Sequence, residues 1–166
     1  GQAAHDFIDF LAAAGQTSWR VRPVGPTGDG DSPSQSFSAC AGTPDFIDRD
    51  IVREEGWLRP GEVGKSWGKD PLYVDYGLVF RRRFEVLALA AGRQNLQDPD
   101  YIGFCRRNRD WLQDYALFMA IKEAHGQVGL ENWPKELRYR APAAMQQAQK
   151  DHAKRVDFWC CVQYFF

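Results

Sequence analysis

The chain has 166 residues, one domain's worth of sequence. Its 21 basic and 22 acidic residues leave a net charge of −1, which argues against a dedicated nucleic-acid binder. A composition 44% hydrophobic and 26% charged excludes a disordered or fibrous chain. Aromatics reach 14%, with 6 Trp; so many rings serve a large core or a flat, partly apolar ligand such as a sugar or a base.

No run of 18 apolar residues exists, so no membrane span is expected, and the N-terminus carries no secretory pattern. Cys40, Cys105, Cys160 and Cys161 are too few and too irregularly spaced for a disulfide scaffold, and no C-x-x-C pair marks a zinc site. They read as buried thiols in a reducing compartment, with the cytoplasm as default. No metal site is expected from them.

In chain order, Phe7, Ile8, Phe10, Leu11 and Ala14 share one face of a helix over 3–14, and Gly15 stands where a C′ glycine belongs. Trp19 to Val24 alternates like a strand, stopped by Pro23. A glycine- and proline-rich loop follows over 25–35. A short extended piece is expected at Phe46–Asp48, then a short helix from Ile51 to Glu55 ended by Gly56, then an irregular stretch over 57–79. Phe80, Phe84, Leu87 and Ala91 recur at helical spacing up to Gly92. Pro99 after Asp98 opens another helix. A strong one covers 111–124, with Leu112, Tyr115, Ala116, Met119 and Ala120 inward. Trp133-Pro134 breaks the chain, and a last helix is expected from Pro142 to the end. Of the final nine residues eight are apolar, and the chain also begins almost inside a helix; both ends read as cut from a longer chain.

The stretch GPTGDGDSPSQSFSACAGTPDFIDRD (25–50) resembles the signature of the 4-alpha-glucanotransferases, the amylomaltases or disproportionating enzymes. FIDFLAAAGQ (7–16), VDYGLV (74–79), WLQDYALFMAIKEAHG (111–126) and Trp133-Pro134 with Leu137, Arg138, Arg140 and Pro142 are similar to further family segments, in the same order. The resemblance implies an α/β fold: the first strands of a (β/α)8 TIM barrel over 1–79, and a mostly helical inserted subdomain over 80–166. It also implies transfer of α-1,4-glucan segments between maltodextrins by a retaining mechanism with two carboxylates and no cofactor. The motifs around those carboxylates do not occur here. No catalytic residue is therefore assigned, and the chain alone is expected to be inactive.

The resemblance marks Asp31, Ser32 and Ser34 in the glycine-rich loop as substrate-binding residues; the plainer alternative is a packed surface turn. Asp29, Ser34 and Asp45 stand where the family commonly has Tyr, and Phe80 where it usually has a further Tyr; positions 29 and 34 belong to a stretch where rings would contact sugars, and losing a stacking ring costs about 1 kcal/mol or more. Arg22 replaces an apolar residue in the strand-like run, and with Arg20 it must reach solvent or a carboxylate unless the run is no central strand. Asp48 and Asp50 read as turn and helix-cap carboxylates. Gly61-Glu62-Val63-Gly64-Lys65-Ser66 lacks phosphate-loop spacing. Arg81-Arg82-Arg83 reads as a solvated helix face, and His5, His125 and His152 as surface helix residues. An alternative function is a non-catalytic helical module that docks, or self-associates, through its apolar C-terminal helix.

Overall fold

The computed structural model describes residues 1–27, 32, 35–63 and 72–166. Among these, nine α-helices and two 3-10 turns account for the regular structure, and the one strand pairing is a single antiparallel bridge between Thr27 and Ser36. The expected α/β fold with its first barrel strands is therefore not found. Trp19 to Val24 forms no ladder: the Val24 carbonyl accepts from the Thr43 N–H, but no strand runs beside the segment among the described residues, and a strand exists only by exchanging backbone hydrogen bonds with another. A parallel barrel strand would be covered on both faces. Here Trp19, Val21 and Val24 are about half exposed, and Arg20 and Arg22 both reach solvent.

The chain divides into two compact units, 1–94 with 165–166, and 95–164. In the first unit, α1 (Gln2–Ala13) ends in a Schellman turn. The Gly15 N–H donates to the Ala12 carbonyl and the Gln16 N–H to the Leu11 carbonyl, with Gly15 at φ +75°. Its face is only partly used: Phe7 packs edge-on against Trp19 at 5.1 Å, while Ile8 and Phe10 stay exposed. A 3-10 turn at Pro44–Phe46 precedes α2 (Arg49–Glu54). The Asp48 carboxylate caps α2, accepting from the N–H groups of Asp50 (2.9 Å) and Ile51 (3.4 Å). Partial burial pushes the Asp48 acid up, but those bonds outweigh it and hold it below the usual range. Gly56, at φ +89°, closes α2 with a second Schellman turn through Trp57 N–H to the Val52 carbonyl. A one-turn helix, α3 (Pro60–Val63), lies within the stretch expected to be irregular, and it takes up Gly61 to Val63 of the apparent phosphate loop. Gly64, Lys65 and Ser66 lie outside the described residues.

Helix α4 (Tyr76–Ala91) completes this unit. Its buried stripe is Arg83, Val86, Leu87 and Ala90, rotated from the expected one; Phe80 is exposed. Arg93, just past its end, forms a bidentate pair with Glu62 (2.6 and 2.7 Å) and donates to the Trp57 carbonyl. The Arg93 bond holds Glu62 down from its ordinary 4.5 to about 2. A carboxylate depressed in the folded state stabilises above its unfolded pKa, and that contribution drains away as pH falls through the folded one. Acid titrations followed by circular dichroism should thus show Glu62→Gln losing less stability than the wild type between pH 4.5 and about 2.

The second unit holds α5 (Pro99–Arg107), α6 (Leu112–Ala124), α7 (Lys135–Arg138), α8 (Pro142–Asp151) and all but the last residue of α9 (Ala153–Phe165), with a 3-10 turn at Leu130–Asn132. Asp98 caps α5 and Pro99 is its first residue, as expected. All five inward residues anticipated for α6 are buried, joined by Leu117 and Ile121. The last helical segment is two helices, not one, broken at His152 (φ −110°, ψ 14°). Helix α9 buries seven side chains from Val156 to Gln163, nearly all round, the pattern of a central core helix. Tyr115 and Phe158 meet the Trp159 ring edge-on, and the Arg155 guanidinium pairs with Glu123 at 2.7 Å while lying over Phe158. Burial pushes the Cys160 and Cys161 thiols up to about 12 and 11, so both stay protonated and unreactive at neutral pH. Cys105 is half-buried, whereas Cys40 is exposed, against the expectation for it. Of the histidines, His5 is exposed; His125 and His152 are half-buried, with the His125 ring stacked on Trp133 at 5.8 Å.

Candidate functional site

The first unit encloses an open cavity of about 670 Å³ whose walls are 23–25 on one side and 36–42 on the other, with Phe166 beside them. In sequence, the glycine-rich stretch 25–35 joins the two walls. Its base is drawn together by the Thr27–Ser36 bridge and by the Thr43 N–H donating to the Val24 carbonyl at 2.8 Å.

Serine turns shape the 36–42 wall. The Ser36 hydroxyl donates to the Ser38 carbonyl (2.8 Å) and accepts from the Ser38 N–H (3.3 Å). The Ser38 hydroxyl accepts from the N–H groups of Cys40 (3.1 Å) and Ala41 (3.0 Å). These local bonds satisfy backbone donors that no helix or sheet serves. Two glycines permit the close approaches: a side chain on Gly25 would run into the Ser36 hydroxyl, and one on Gly42 into the Phe166 ring.

Of the expected substrate-binding residues, Ser32 is half-buried and its carbonyl accepts from the Gln35 N–H at 2.9 Å. Asp31 and Ser34, like Asp29, lie outside the described residues. Asp48 and Asp50 are occupied in α2, the first as its cap and the second pairing with Arg53 at 2.9 Å. Among the described residues no cluster of His, Cys, Asp or Glu could hold a metal ion.

The arginine triplet is not a uniformly solvated face. Arg81 is exposed and Arg82 half-buried, but Arg83 is buried. Its Nη1 donates to the carbonyls of Pro44 (2.9 Å) and Ile47 (3.2 Å), and its Nε lies 3.2 Å from Asp45 Oδ1. Sequence reasoning missed this residue, because the groups it serves lie 36 and 39 positions away.

A sequence profile described as 4-alpha-glucanotransferase matches residues 1–166. The chain belongs to the 4-alpha-glucanotransferase family. It is 41% identical over 171 aligned positions to the 4-alpha-glucanotransferase of Thermus thermophilus and 36% identical to that of Clostridium butyricum, with all of this chain aligned in both cases. It also superposes on the amylomaltase from Streptococcus agalactiae in complex with acarbose, with a TM-score of 0.93 at 34% identity and all of this chain covered. The chain spans about a third of the length of these family members: 33% of the Thermus protein and 34% of the other two. No helix among the described residues is long and apolar enough to cross a membrane.

Proposed function

We propose that this chain forms the early part of a cytoplasmic 4-alpha-glucanotransferase that moves α-1,4-glucan segments between maltodextrins, and that its cavity borders the donor glucan. The observation carrying this reading is the pairing of a family-wide match over 1–166 with a 670 Å³ cavity whose walls are the two flanks of the glycine-rich loop. Asp31, Ser32 and Ser34 then supply hydroxyl and carboxylate partners for sugar hydroxyls. Retaining transfer needs a carboxylate nucleophile and a carboxylic acid/base. The motifs that the resemblance places around those two carboxylates do not occur in this chain, and among the described residues Asp45 pairs with Arg83 and Asp48 caps a helix. This chain's part is thus to bind and orient glucan, not to cleave it. For the docking alternative, Phe158 to Val162 of α9 are buried, whereas Phe165 is half-buried and Phe166 is 52% exposed.

Titration with maltoheptaose, followed by calorimetry, should show saturable binding that acarbose displaces. Incubation with maltotriose should release no glucose and no longer oligomers. A folded protein that ignores both sugars removes the binding claim, and sustained transfer by the chain alone removes the claim that it is only a binding part.

A further inference from the structure

Arg83 lines no part of the cavity, yet it is tied to both walls. Its guanidinium gathers the Pro44 and Ile47 carbonyls and the Asp45 carboxylate, so the turn that follows the 36–42 wall is closed around one buried cation. Thr43 is the next link. Its hydroxyl accepts from the Asp45 N–H (3.4 Å) and lies 3.5 Å from Asp45 Oδ2, while its backbone N–H donates to Val24 in the opposite wall. A continuous set of bonds therefore runs from α4 through Asp45 and Thr43 to Val24, and the two walls meet at its end. Only arginine offers several donors in a fixed planar fork for such an arrangement.

We infer that Arg83 is a positioning residue for the cavity: it fixes the 43–47 turn, and through it the spacing of the 23–25 and 36–42 walls that receive the sugar. The link to sugar rests on the glucan reading above; the link to wall geometry does not.

Hydrogen exchange read by mass spectrometry, together with maltoheptaose titration, tests this on the full chain. Arg83→Gln should speed exchange over 36–43 by about tenfold and weaken maltoheptaose by about fivefold or more, at a temperature where circular dichroism shows the protein folded. Arg83→Lys should recover part of both effects, because one ammonium still reaches a carbonyl. Arg81→Gln, an exposed change on the same helix, should match the wild type. Asp45→Asn, at an exposed carboxylate, should shift exchange over 36–43 in the same direction by a smaller factor, and it decides the matter if Arg83→Gln does not fold. Unchanged exchange over 36–43 in folded Arg83→Gln, or in Asp45→Asn should the former fail to fold, overturns the proposal. If the wild type binds no maltoheptaose, the glucan reading fails, while the exchange rates still decide the role of Arg83.

Discussion

Leu112→Ala should lower stability by about 3–5 kcal/mol, a fall in melting temperature of roughly 6–20 °C for a chain of this size. Leu112 opens α6 and is 0% exposed, so truncation leaves a void that close-packed neighbours cannot collapse to fill. Surrounding buried groups include Ala116 one turn on, with no spare length to move inward. Leu96, at 38% exposure in the same unit, is the matched control: Leu96→Ala should change stability by about 0.5 kcal/mol or less. Urea denaturation of both variants checks the contrast, and equal losses would mean that α6 does not anchor the core of its unit.

Gly25→Ala should weaken maltoheptaose about tenfold while leaving the helices intact. The new methyl group meets the Ser36 hydroxyl and drives it from both of its bonds to Ser38. Each such bond is worth about 1 kcal/mol net, and losing them frees the wall they shape. Ser36→Ala removes the same bonds without the collision and should produce a similar loss. The double variant should then fall well short of the sum of the two, because both act through one contact. Additive losses would place Gly25 and Ser36 in separate roles.

The helices were legible where local chemistry alone decides them. Gly15 and Gly56 end α1 and α2 because each must adopt a positive φ, and Asp98-Pro99 opens α5 because one residue accepts orphan N–H groups and the other lacks one. The apolar set from Leu112 to Ala120 was legible because its period matches a helix buried along one side. What failed depended on partners distant in sequence. Trp19 to Val24 has the alternation of a strand, but a ladder requires a partner strand, and none stands beside it among the described residues. The α4 stripe was misplaced because the aromatic Phe80 looked like an inward residue, whereas Arg83 is drawn inward by carbonyls from the Pro44–Ile47 turn. The break at His152 carries neither Gly nor Pro, so nothing local announced it. At the site, the glycine-rich stretch stood out in the sequence by composition, but the cavity walls set by Gly25, Ser36, Ser38 and Gly42 emerged only from their mutual contacts.

A chimera gives the most direct test: these 166 residues replacing the matching third of the Thermus thermophilus 4-alpha-glucanotransferase, assayed for disproportionation of maltotriose. Glucose and longer maltodextrins should appear, with KM for maltotriose raised because the resemblance implies that Asp29 and Ser34 stand where stacking rings would contact sugar. A folded chimera that binds neither maltotriose nor acarbose would contradict a glucan-holding role for this chain.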